Sequence, residues 1–173
     1  PMFPVNIDGN QTGINGVACV GCTIDHTSAL LDNIDTTFTE IKLTAGVVTA
    51  ASIAVKDEMT DYNEPTFTGF RIANPNLLGA ALLNQVSLTT FLNGVQQEVK
   101  SGSGQLALVN AELLNGNSTQ VVGFVPNLPF DEIKLTLNQP VGVTLGTTEV
   151  YEVLIEKLCA GTLSCNNTYW LNN

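Results

Sequence analysis

Oxygen donors crowd one short stretch of this chain: Asp32, Asn33, Asp35, Thr36 and Thr37 fall within six residues, with Glu40 just beyond. Hard cations take several carboxylate, carbonyl and hydroxyl oxygens, so the stretch is a candidate calcium loop. Glu152 or Glu156 would reach in from a distant strand, with calcium as the candidate cofactor. The spacing is not that of an EF-hand. The competing reading is a turn in which Asp and Thr side chains cap their own backbone. A second acidic stretch, Asp57, Glu58, Asp61 and Glu64, is a lesser candidate, and its alternative is a solvated connection.

Other chemistries find less support. Nucleophilic hydrolysis needs a base beside a nucleophile, and the single histidine, His26, sits between Asp25 and Ser28 in a loop-like context. No Gly-x-Ser-x-Gly elbow or phosphate-cradling glycine loop with its lysine is present. Glycoside hydrolysis needs two carboxylates facing one another across a cleft. Asp131 and Glu132 are adjacent at a strand start and so point to opposite faces. The expectation is a chain that is not an enzyme. Aromatic platforms for sugars are few, namely Trp170, Tyr169, Tyr62 and Phe38, whereas Phe67, Phe70, Phe91, Phe124 and Phe130 lie in strand-like contexts that suit a core.

Four cysteines stand near the two ends, Cys19 and Cys22, then Cys159 and Cys165. An even count in this placement suggests two disulfides and an oxidising compartment, with all three pairings open. Zinc is the weaker reading, because five residues separate Cys159 from Cys165.

With 173 residues and 44% hydrophobic side chains, the chain is long enough for one domain with its own core. The formal charge of −10 excludes phosphate backbones as natural partners, since these are bound through Lys and Arg clusters. Anionic membrane surfaces are disfavoured for the same reason. No apolar run approaches the roughly 18 residues that a spanning helix needs, so membrane insertion is not expected. The start, Pro1-Met2-Phe3-Pro4, lacks the basic and apolar regions of a signal peptide and reads as a mature or excised end. Twenty Thr and eighteen Asn fill polar positions that Lys, Arg, Glu and Gln occupy elsewhere, a bias toward strands and turns over helices.

The elements that would position these residues follow from periodicity. Ile133, Leu135 and Leu137 alternate with Lys134 and Thr136, as in a strand with one buried face. Val121 to Val125 is a second apolar run, and Pro126 and Pro129 break any ladder between the two. Val86 to Lys100 reads as a hairpin turning at Asn93-Gly94, the pair that best tolerates the two positive φ angles of a type I′ turn. Further strands are expected at Val5 to Ile7, Ile41 to Leu43, Ala51 to Lys56, Phe67 to Ala73, Leu106 to Val109 and Val150 to Ile155. In the last, Tyr151, Val153 and Ile155 would share one face. Only Pro75 to Gln85 offers a helical face. The fold class is all-β, a jelly-roll or discoidin-like β-sandwich of about eight to ten short strands with at most one short helix. The division expected is 1–18 as a linker or edge strand, 19–165 as the sandwich and 166–173 as a tail.

Several of these pieces, in order, resemble one family. Leu-Leu-Asp-Asn-Ile-Asp-Thr-Thr-Phe-Thr (30–39), Ala-Ser-Ile-Ala-Val-Lys-Asp (51–57), Thr-Gly-Phe-Arg-Ile (68–72), Thr-Phe-Leu-Asn-Gly-Val-Gln-Gln-Glu (90–98), Val-Gly-Phe-Val (122–125), Pro-Phe-Asp-Glu-Ile-Lys-Leu (129–135) and Glu-Val-Tyr (149–151) resemble the β-rich modules of the giant repetitive surface adhesins of gliding bacteria, the SprB-like proteins. The Asp-rich loop also resembles the calcium loop of discoidin-like sandwiches, a likeness that implies Asp32, Asp35 and Thr37 as the calcium ligands. The resemblance implies a secreted, non-catalytic structural or adhesive module of a cell-surface fibre. Its partners would be neighbouring modules or copies of the same protein, with surface polysaccharide as a further candidate. The alternative is a calcium-dependent carbohydrate-binding module.

Overall fold

A computed structural model of the chain describes residues 5–16, 19–44, 49–63, 65–75, 80–114, 117–141 and 144–158. Among these residues it contains twelve strands: β1 (Val5–Ile7), β2 (Gly13–Gly16), β3 (Thr23–Asp25), β4 (Thr39–Leu43), β5 (Thr49–Asp57), β6 (Thr66–Ala73), β7 (Val86–Leu92), β8 (Val95–Ser101), β9 (Ala107–Leu114), β10 (Asn117–Phe124), β11 (Glu132–Gln139) and β12 (Gly146–Lys157). A 3-10 turn, Thr27–Leu31, precedes β4, and a single α-helical turn, Ala80–Leu83, precedes β7.

The strands form two antiparallel sheets of six. One runs β1-β5-β11-β7-β8, with β2 also on β5, and the other runs β3-β4-β12-β6-β10-β9. Successive strands β4, β5, β6 and β7 alternate between the sheets, as do β10, β11 and β12. This is the double Greek key of a jelly roll. It places β11 between β5 and β7, and β12 between β4 and β6. The strand count exceeds the eight to ten expected because β2 and β3, four and three residues long, add themselves to sheet margins.

β11 shows the expected alternation. Ile133, Leu135 and Leu137 are buried in the core with Ile53, Leu88 and, from the facing sheet, Ile41, Phe70, Ile72, Val122 and Val150. The β7–β8 hairpin turns where the sequence placed it, with Asn93 at φ 51° and Gly94 at φ 77°. Cys19 and Cys22 form a disulfide beside β3, the local one of the pairings left open. Cys159 and Cys165, like Tyr169, Trp170 and the 166–173 tail, lie outside the described residues.

Two strands depart from simple alternation. β5 is buried on both faces rather than one, because the Asp8–Thr12 loop ties down its margin. Asp8 N–H donates to the Ala54 carbonyl, and Ala54 N–H donates to Thr12 Oγ1. β12 carries a bulge against β6 between Val150 and Glu152, so adjacent Val150 and Tyr151 are both buried. An extra residue re-aims the side chains that follow it.

Candidate functional site

The bulged strand supplies one wall of a cavity of about 900 Å³ between the two sheets. Tyr151, Val153 and Ile155 come from β12, and Val5, Val55 and Ile133 from β1, β5 and β11. Ala29 and Leu30 of the 3-10 turn, Asn33 and Asp35 of the loop after it, and Thr60 to Asn63 complete the rim. A volume of this size accommodates a small ligand of a few rings.

The 57–63 loop leaves Glu58, Met59, Asp61 and Asn63 exposed, as a solvated connection does, and is tied down at Asp57 and Tyr62. Asp57 is buried, and its Oδ1 accepts from the backbone N–H of Met59 and Thr60, while Tyr62 donates its hydroxyl to Oδ2 at 2.7 Å. Tyr62 also makes a two-way backbone bridge to Phe130, at 2.8 and 3.2 Å, and their ring centroids stand 5.1 Å apart. Burial and the Asp57 carboxylate push the Tyr62 hydroxyl well above its ordinary value, so it remains a donor at physiological pH. Tyr62, half-buried, thereby presents a fixed ring to the cavity, backed by the buried Phe130.

Asp131 follows Phe130 on that wall. It is 5% exposed, and its Oδ2 accepts from Asn93 N–H at the tip of the β7–β8 hairpin. Its Oδ1 is buried without any hydrogen-bond partner in the protein. A buried carboxylate oxygen left bare costs free energy. On the opposite rim Tyr151 packs on Phe38 at 5.3 Å and donates to Glu149 at 2.6 Å.

The residues singled out for calcium are placed differently. Asp32 Oδ1 accepts from Ile34 N–H, and Thr37 donates its hydroxyl to Asp32 and to the Ile34 carbonyl. That is the self-capping turn. Asp35 lines the cavity, while the Glu152 carboxylate lies 2.8 Å from Arg71 Nη2. Among the described residues no three His, Cys, Asp or Glu side chains are grouped closely enough to hold a metal ion. A chelator is accordingly expected to move the thermal midpoint by no more than about 1 °C, since only a ligand of the folded state stabilises by mass action. A large drop restored by calcium in differential scanning fluorimetry would contradict this.

His26 adopts a left-handed conformation at the head of the 3-10 turn, and its carbonyl accepts from Ala29 N–H and the Thr39 hydroxyl. Asp131 and Tyr62 were in view in the sequence only as half of an adjacent acid pair and as a stray aromatic. What joins them is the Tyr62 to Phe130 bridge, a contact across 68 residues that no local pattern announces.

The chain is thus an all-β jelly-roll sandwich with an acidic, aromatic-walled cavity between its sheets. No protein-family model matches it, and no curated protein matches it in sequence. Among solved structures it is similar to a mutant of the lectin binding domain of Lectinolysin complexed with Lewis b, at TM-score 0.47 and 11% identity over 91% of this chain and 93% of that one. It is similar also to GH31 CBM32-2 bound to GalNAc, at TM-score 0.47 and 14% identity over 90% and 99%. A third is CBM32-3 from a family 31 glycoside hydrolase from Clostridium perfringens, at TM-score 0.41 and 10% identity over 88% and 91%. Similarity of this order carries nothing about ligands.

Proposed function

We propose that this chain is a non-catalytic carbohydrate-binding module, and that its site is the cavity walled by Tyr62, Phe130 and Asp131. The observation that carries the reading is a cavity between the sheets in which the half-buried Tyr62 ring, held against Phe130, stands beside polar rim side chains. Sugars present apolar ring faces and many hydroxyl donors, and sites for them combine an apolar surface with a few fixed polar groups. Asn33, Asp35, Asp61 and Asn63 on the rim add acceptors and amides of the same kind. This displaces the purely structural module as the leading reading, because a spacer has no use for a cavity of this make. The SprB-like resemblance supplies the setting: a secreted module that holds glycan at the cell surface, as part of an adhesin.

The test is binding to an array of neutral and charged glycans, followed by titration of the best ligand. Tyr62→Ala is expected to weaken binding by about tenfold to thirtyfold, the effect of removing an aromatic anchor. Tyr62→Phe keeps the ring and is expected to retain most of the affinity. Absence of binding to every glycan, or equal affinity in Tyr62→Ala, would reject the reading.

A further inference from the structure

The first described segment closes as a strap over a buried acid. β1 and β2 both pair with one margin of β5, Val5–Ile7 against Val55–Asp57 and Gly13–Gly16 against Thr49–Ser52. The Asp8–Thr12 loop between them reaches onto the outer face of the sheet, where Lys134 Nζ donates to Gln11 Oε1 at 2.8 Å. Glu132 precedes core Ile133 and so points to that outer face with Lys134. It is 1% exposed, and its carboxyl shares a hydrogen bond with that of Asp8. Two carboxyl groups in one dry place do not both ionise cheaply. The charged groups that face Glu132 are Asp8 of the strap, Asp131 beside it and Lys56 of β5. Lys56 stands 3.4 Å from the Glu58 carboxylate, Lys134 is taken by Gln11 and the Phe91 ring, and β7 presents that ring rather than a charge.

We propose that the 5–16 strap is a proton-operated latch, held on β5 while the Glu132 carboxyl is protonated and loosened, with the two sheets intact, when that carboxyl ionises. The strap is the kind of segment that opens locally: β1 and β2 are three and four residues long, and Val5 and Ile7 are only partly buried. Val5 also lines the cavity, so opening removes one side chain from its wall. The latch does not depend on what the cavity binds. Burial, then Asp8 and Asp131, raise the pKa of the covered carboxyl from 4.5 to about 7. Docking is therefore strongest below that window, weakens as pH rises through it and is level above it.

The experiment is amide hydrogen exchange of the whole chain, followed by NMR from about pH 4.5 to about 7.5 and corrected for the intrinsic rate at each pH. The Asp8 amide, bonded to the Ala54 carbonyl, and the Ala54 amide, bonded to Thr12, report the strap. They are expected to exchange well before the amides of Phe70 and Ile72 in β6, and to lose protection on the order of a hundredfold across the window. In Glu132→Gln their protection is expected to stay level with pH. Asp8→Asn leaves Glu132 in place and supplies an amide donor for its ionised form, so the fall is expected to shrink about tenfold or more. Protection at Asp8 and Ala54 equal to that of Phe70 would mean that the strap leaves only with the whole fold. Protection that does not change with pH in the parent chain would mean that opening does not ionise Glu132. Either result would overturn the latch.

Discussion

Gly69→Ala is expected to destabilise the fold by about 3 kcal/mol, a drop of roughly 6 to 12 °C in thermal midpoint for a chain of this size. Gly69 lies in β6, directly across from Gly123 of β10. A Cβ built on Gly69 would stand 2.6 Å from the Gly123 Cα and closer still to the Val122 carbonyl oxygen. These are backbone atoms of a central strand pair, so nothing nearby can rotate away. Gly123 is crowded in the same manner, by the Thr68 carbonyl and the Phe67 ring. The close approach matters because β6 is the strand that connects β10 to the cavity-lining β12. Gly104→Ala is the control: no atom lies within 4 Å of a Cβ there, and its midpoint is expected to stay within about 0.5 kcal/mol of the parent's stability. An unchanged midpoint in Gly69→Ala would mean that β6 and β10 are not as close as described.

Glu132→Gln is expected to remove a pH dependence from stability. Glu132 starts β11, opposite Lys56 and Phe91, and is 1% exposed with Oε1 unpartnered. Burial first, then the Asp8 and Asp131 carboxylates, push its pKa up from 4.5 to about 7, against a smaller opposing pull from Lys56. The native state therefore keeps a proton that the unfolded chain releases between those two values. Stability falls as pH rises through that window and is level above it, with a total loss on the order of 3 kcal/mol. In Glu132→Gln the amide takes the place of the protonated carboxyl, so the slope across the window should flatten and the midpoint at pH above 7 should rise. A denaturant titration series over pH reads this directly, and an identical slope in the variant would refute the assignment.

The strand plan was largely open to reading from side-chain periodicity. β11 declared itself through Ile133, Leu135 and Leu137, and the β7–β8 hairpin through Asn93-Gly94, since both signals are local. Where a distant segment intervenes, the sequence is silent. The two-sided burial of β5 depends on the Asp8–Thr12 loop, and the burial of Tyr151 beside Val150 depends on one extra residue in β12 relative to β6. The site follows the same division. A density of oxygen donors in 32–37 was plain, but what it builds is a turn satisfied by its own backbone. The cavity instead joins residues from both sheets and three loops. Its decisive feature, the Tyr62 ring held against Phe130 across 68 residues, is a property of packing that no single stretch of sequence contains.

The central claim is that glycan binds in the cavity between the sheets. The most direct measurement is a titration of the isotope-labelled chain with the tightest array ligand, followed through backbone amide resonances. The account predicts shifts concentrated in residues 33–35, 57–63, 130–133 and 151–157, the segments that line the cavity. Saturable shifts confined elsewhere, such as the exposed β8 edge at Val95 and Val99, or none at all with any glycan, would contradict it.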